Sequence, residues 1–298
     1  MRTHSVNRRV FLQGAAGAGV LMGLGQGHAA TAKPRFEMGL QLYTVRDPMA
    51  KDPLATLKQI SALGYRNLET FGFDATRTGY YGMGAADFKR TLDDLNLRTT
   101  SGHYDLFRYL ETPLPEFRDY VSRCIEGAVV LQQKYITWPW LSPEQRTIRH
   151  YELLAERLNQ VGEQVERAGL KTAYHNHDFD FLPQDGKVGY DIVMQRTDPA
   201  LVKLQLDLYW VVHSSPRSAH ELFALQPGRF TMWHIKDLHL QTRDYTELGN
   251  GTIDYTKIMP DAKLAGLEEY FVEQGGNFAV DPMHSIATCA AYVRRNLE

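Results

Sequence analysis

Hydrophobic positions change period along this chain in a regular order. Short apolar runs rich in β-formers alternate with longer segments whose apolar residues recur every three or four positions. "FEMGLQLYTV" predicts a strand, and "PLATLKQISALG" a helix ended by Gly64. "YRNLETFGF" and "AADFKRTLDDLN" repeat the pair, and "LRTTSGH" leads to a long helix from Leu114 to about Gln132. "KYITWPW" precedes a helix expected from Pro143 to Ala168, capped by Ser142 and ended by Gly169. "LKTAYHNH" with "GYDIVMQRT", "VKLQLDLYW" with "SAHELFALQ", and "RFTMWHIKD" with "YTKIMPDAKLAG" continue the order. "EYFVEQG" and "SIATCAAYVRRNL" close it. Eight strand–helix units between residues 33 and 298 predict an α/β protein, a single-domain (β/α)8 TIM barrel. An open doubly wound sheet is the competitor, but no G-x-G-x-x-G follows the first strand.

Composition changes this picture little. The 298 residues are 43% hydrophobic and 23% charged, and net charge is -2 without a basic run, which argues against a nucleic-acid partner. The N-terminus stands apart. "NRRVFLQGAAGAGVLMGLGQGHAATA" opens on Arg8-Arg9, continues as a Gly/Ala-rich apolar run and ends in small residues. It is too short and Gly-rich for a stable membrane span. It resembles a twin-arginine export signal, with Asn7 where Ser or Thr is usual. Residues 1–32 are therefore expected to be removed and the barrel, 33–298, to be periplasmic or exported. Losing Arg2, Arg8 and Arg9 would take the charge to -5. Cys124 and Cys289 fall on the third and eighth helices, which are not neighbours in a barrel, so two free thiols are expected.

Barrels carry their chemistry at the C-terminal strand ends. Those ends hold Gln41 and Tyr43, Glu69, His103, and then Trp138 and Trp140. Strand five offers His175 and His177, strand six Asp207 followed by Tyr209 and Trp210, strand seven His234 and Lys236, and strand eight Glu273. His175 and His177 share parity, as do His234 and Lys236, so each pair points to one face. Taken alone, each residue has a structural role open to it: Asp207 could cap a helix or pair with Lys236, and a strand-end histidine could simply be hydrogen-bonded. Four successive strands offering His, Asp or Glu at one level favour a shared metal centre. Nitrogen and carboxylate donors without sulfur suit manganese, cobalt, iron or zinc better than magnesium. Tyr43, Trp138, Trp140 and Trp210 could wall a sugar ring or merely pack; Glu69 and His103 could bind substrate hydroxyls.

At these residues the chain resembles the sugar phosphate isomerase/epimerase family, the xylose isomerase-like or AP-endonuclease-2-type barrels. "GLQLYTVRD", "YHNHDFDF", "LDLYWV", "HIKD", "ELGNGTIDY" and "VEQ" carry the resemblance, in order, from Met38 to the C-terminus. It implies Asp207, His234 and Glu273 as ligands of a divalent metal, with His175 at a first position where many members have Glu. His177 matches a histidine that acts as a base in some lyase-type relatives. The departure at His175 weakens a two-glutamate epimerase mechanism and leans toward elimination. The family's sugar-acting members imply a carbohydrate or cyclitol substrate.

The expectation is therefore a metal-dependent isomerase/epimerase-type enzyme that removes a proton α to a carbonyl. His177 would be the base, Glu273 a ligand and second acid/base, and Lys236 a holder of the developing oxyanion. Gln41, Tyr43, Glu69, His103, Trp138, Trp210 and Lys236 would contact substrate. A dehydratase or lyase acting on a keto-glycoside or cyclitol, or a non-catalytic sugar-binding barrel, is the alternative. Phosphoester hydrolysis fits poorly with a charge of -5. Oligomeric state, a homo-oligomer included, and the role of the Gly249–Gly251 loop are left open.

Overall fold

The computed structural model describes residues 36–298; the export signal expected at 1–32 lies outside them. The described residues form one compact unit. Eight parallel strands close into a barrel: β1 (Gly39–Gln41), β2 (Asn67–Thr70), β3 (Arg98–His103), β4 (Tyr135–Trp138), β5 (Lys171–His175), β6 (Val202–Asp207), β7 (Met232–Ile235) and β8 (Glu269–Val272). Each pairs with its sequence neighbours, and β8 closes on β1 through Gly39↔Phe271 and Leu40↔Val272. Closure needs a glycine here, because a Cβ on Gly39 would lie 2.1 Å from the Tyr270 carbonyl oxygen.

Around the barrel run α1 (Pro53–Ala62), α2 (Ala85–Asp94), α3 (Leu114–Val130), α4 (Ile148–Glu166), α5 (Gly189–Arg196), α6 (Ala219–Leu225), α7 (Ala262–Ala265) and α8 (Pro282–Asn296). The architecture is the (β/α)8 barrel that the alternating pattern predicts. Helix α4 shows why: Tyr151, Leu154, Leu158, Val161 and Val165 recur at helical spacing and are all buried. Strand residues divide by parity. Leu204, Leu206, Trp233 and Ile235 belong to the main core. Tyr135, Ala173, Met232 and Phe271 form a separate cluster on the opposite parity, filling the barrel interior. Cys124 and Cys289 are buried and free.

Two of the departures from the pattern shape the site. The helix expected from Pro143 is broken: Pro143–Gln145 is one 3-10 turn, Arg146 leaves helical geometry at φ -88° and ψ 49°, and α4 starts at Ile148. The cap of α4 is Thr147, whose side chain accepts from the His150 N–H, rather than Ser142. Strand β6 stops at Asp207, so Tyr209 and Trp210 sit in the first turn of a short helix, Leu208–Ser214.

The Gly249–Gly251 loop is anchored. Asp237 is buried and accepts from four backbone N–H groups, those of Leu238, Gly249, Gly251 and Ile253, at 2.8–3.1 Å. Its carboxylate lies where a Cβ on Gly251 would go, 2.3 Å from Asp237 Oδ1. Such a loop is held in place, since moving it would strand a buried carboxylate.

Candidate metal centre

A cleft of about 760 Å³ opens at the C-terminal ends of the strands. Below it, inward-facing residues form a satisfied polar layer. Gln41 Nε2 donates to Glu69 Oε2 at 2.8 Å, and Gln205 Nε2 donates to Glu69 Oε1 at 2.7 Å. His103 Nε2 donates to Gln205 Oε1 at 2.8 Å and lies 3.2 Å from Glu69 Oε2. His234 Nε2 reaches the same carboxylate at 2.5 Å. Burial alone would raise the Glu69 carboxyl, but His103 and His234 hold it well below the usual range. Burial would likewise lower His234, yet Glu273 and Glu69 outweigh it and push the ring up to about 9.

Above that layer, His175, Asp207, His234 and Glu273 converge. One ligand atom from each lies within 4.8 Å of all the others, and all four residues are buried. Parity accounts for the meeting: Asp207 pairs with His234 across β6 and β7, and His175 ends β5. Among the described residues, Nδ1 of His175, of His234 and of the neighbouring His177 are buried without a hydrogen-bond partner. The His234 atom is 3.2 Å from Glu273 Oε2, and His175 Nε2 is 3.9 Å from Asp207 Oδ2. Burial and the neighbouring histidines hold His175 well below its ordinary range, so its ring is neutral. An orphaned His234 nitrogen beside Glu273, with the neutral His175 ring near Asp207, fits a divalent cation.

The two structural roles open to Asp207 both occur. Its Oδ1 caps the Leu208–Ser214 helix, accepting from Tyr209 N at 3.0 Å and Trp210 N at 3.3 Å. Its Oδ2 accepts from Lys236 Nζ at 2.6 Å, and the same ammonium donates to Glu273. Burial raises Asp207, whereas Lys236 and His234 override burial and hold Glu273 well below its usual range. Lys236 is kept protonated by the two carboxylates despite its burial.

His177 lies beside the cluster. Its ring centroid is 4.8 Å from His175, 4.6 Å from Trp140 and 5.9 Å from Trp210, and it stacks on Phe179 at 5.3 Å. Burial, followed by the Lys236 charge, drives its protonation well below the ordinary histidine range, leaving a neutral imidazole. Behind it, buried Asp180 Oδ2 accepts from the backbone N–H of His177 at 2.7 Å, and Oδ1 accepts from the hydroxyls of Tyr174 at 2.7 Å and Tyr151 at 2.8 Å. Burial still pushes the Asp180 carboxyl up to about 7.

Tyr43, His103, His175, His177, Trp210, Lys236 and Glu273 line the cleft, as does Trp140. Three residues expected at the substrate do not. Gln41 and Glu69 are fully buried in the polar layer beneath it and serve the histidines. Trp138 is fully buried with outward parity: it packs on Phe117 of α3, and its Nε1 donates to the Trp140 carbonyl at 2.9 Å. Asp180, Phe179 and Arg146 were not among the expected site residues. Asp180 had a signal, since an acid three residues after a potential cap is capping-box spacing.

The Xylose isomerase-like TIM barrel family model matches residues 57–274. The chain belongs to that family. A protein named inosose dehydratase from Bacillus licheniformis is 24% identical over 265 residues, 76% of this chain and 85% of that protein. Another of that name, from Geobacillus thermodenitrificans, is 25% identical over 143 residues, 42% of this chain and about half (47%) of that relative. A solved sugar phosphate isomerase/epimerase structure from Parabacteroides distasonis superposes with a TM-score of 0.76 at 26% identity, covering 89% and 95% of the two chains. Members of this family are enzymes: isomerases, epimerases and dehydratases. Among the described residues, no helix is long and apolar enough to cross a membrane.

Proposed function

We propose that this barrel is a divalent-metal-dependent enzyme of the isomerase/epimerase type that removes a proton α to the carbonyl of a keto-sugar or related carbohydrate. The observation that carries it is the convergence of His175, Asp207, His234 and Glu273 next to a neutral His177 at the floor of the cleft. A manganese, cobalt or zinc ion held by those four residues would supply Lewis acidity that polarises the substrate carbonyl and acidifies the neighbouring carbon.

The protein's own residues do the rest. His177 is neutral and walled by Trp140, Phe179 and Trp210, so it accepts the α-proton. Lys236 faces the cleft as a cation and donates toward the oxygen on which negative charge develops. Tyr43, Trp140 and Trp210 offer aromatic faces to a sugar ring. Glu273 is held ionised and serves as ligand and as second proton carrier.

Elimination of a β-substituent is the second reading. It is favoured by His175 standing where a second glutamate would complete a symmetric two-carboxylate exchange, and by the relatives named inosose dehydratase. Incubation with keto-sugars and 3-keto-glycosides in deuterium oxide tests both. Solvent deuterium at the α-carbon of a retained product supports isomerisation or epimerisation, and an unsaturated product supports elimination. Neither product, together with no metal bound after chelator-free purification, leaves a sugar-binding barrel. Export rests on "NRRVFLQG"; replacing Arg8 and Arg9 by Lys in the full chain should keep it in the cytoplasmic fraction.

A further inference from the structure

Three cations line the cleft, and two of them are already committed. Lys236 is held by Asp207 and Glu273, and Arg108 Nε donates to Asp105 at 2.8 Å. Arg146 is different. Its guanidinium lies 3.8 Å over the Phe179 ring centroid and 4.6 Å over that of Trp140. Its Nε donates to the Leu141 carbonyl at 3.1 Å, and its own carbonyl accepts from Gln184 Nε2 at 2.6 Å. Among the described residues no carboxylate comes within 4.0 Å of it: Glu144 is engaged by Ser142, and Asp178, also on the cleft wall, stays beyond pairing distance. A helix running on from Pro143 would not have delivered this side chain. The backbone break at Arg146 does.

We propose that Arg146 is the anion anchor of the cleft and that the substrate is an acidic carbohydrate, a sugar bearing a carboxylate. The assignment rests on the carbohydrate chemistry proposed above and names its substrate class. A guanidinium fork matches a carboxylate in a bidentate pair. Stacking on two rings and the Leu141 bond fix it before the ligand arrives, so little side-chain entropy is lost on binding. The Phe179 ring joins it to the base, since the same ring also stacks on His177, and Trp140 lies 4.6 Å from both. A carboxylate on Arg146 therefore leaves a carbon a few bonds away facing His177. The 760 Å³ cleft has room for the ring and a substituent.

The test is calorimetric titration of the full chain, metal-loaded and after chelation, with two acid/neutral pairs: D-glucuronate against D-glucose, and D-galacturonate against D-galactose. Wild type should bind at least one acid about 10- to 100-fold more tightly than its neutral partner, the equivalent of a charge-assisted pair. Added salt should shrink that preference. Arg146→Met, which keeps the stacked stem, should abolish it, and Arg146→Lys should retain part. No preference in either pair overturns the proposal, as does a preference that survives Arg146→Met at an unchanged melting temperature. A preference lost on chelation alone also overturns it, because the carboxylate is then bound by the metal. Thermal stabilisation by manganese or cobalt, read on the same samples, keeps the two claims apart. Its absence from wild type counts against the metal enzyme, while an acid preference that requires Arg146 still establishes the anchor.

Discussion

Nε2 of His234 lies 2.5 Å from Oε2 of Glu69, and the opposite nitrogen of the same ring therefore faces Glu273, 3.2 Å away. The buried glutamate orients the imidazole toward the carboxylate cluster. Carboxylates behind ligating histidines fix ring orientation and basicity, and losing one costs about 10- to 100-fold in metal affinity. Glu69→Gln should lower manganese or cobalt affinity by that factor while the fold persists, as measured by competition with a chelator. Unchanged affinity would mean that the ring is oriented by other contacts.

His177 stands apart from the four convergent ligands, so binding and proton transfer should separate on mutation. His177→Ala should keep the full metal content and lower turnover by about 10²- to 10⁴-fold, the usual contribution of a positioned base. Deuterium incorporation should fall with it. A variant that loses the metal instead would move His177 into the coordination sphere.

Much of this arrangement was legible because parity and strand order are local properties. His175, Asp207, His234 and Glu273 could be aligned from the sequence once eight strands had been counted. The same parity rule, carried to β4, would have turned Trp138 outward beside Ile136, leaving Trp140 to enter the cleft after Pro139. Glu69 was visible as a strand-end acid. Its depth was not, since that depends on Gln205 and Gln41 coming from two other strands to meet it. Arg146 gave no signal: its position depends on a helix break that the apolar spacing of residues 143–168 conceals.

Asp180 gives a pH test of the support behind His177. Its carboxyl is raised to about 7 by burial, against an unfolded value near 4. In this window the native state holds the proton that the unfolded state has lost. The contribution of Asp180 is thus complete at low pH and disappears as pH rises through about 7. Asp180→Asn does not titrate, so the stability of wild type relative to this variant should fall by about 2 kcal/mol between pH 5 and pH 7.5. Urea denaturation at the two pH values measures it. A difference that stays constant, or grows with pH, would show that the Tyr151, Tyr174 and His177 donors keep Asp180 ionised.

Lys236 holds two buried carboxylates that the proposed metal also needs, and this sets up a charge exchange. Without a metal, Lys236→Met leaves Asp207 and Glu273 with the His234 ring, 3.2 Å from Glu273, as their remaining counter-charge in a buried site. Breaking a buried pair in this way costs about 3–5 kcal/mol. A divalent ion would supply the missing charge. The variant should therefore melt well below wild type in chelator, and saturating manganese should raise its melting temperature by more than it raises that of wild type. Turnover should stay low even with metal bound, because no ammonium remains to meet the developing oxyanion. Equal metal-induced shifts in the two proteins would show that Lys236 and the ion do not share the same carboxylates, and would move the metal toward His103, His175 and His234, the other cluster of donors within 4.8 Å.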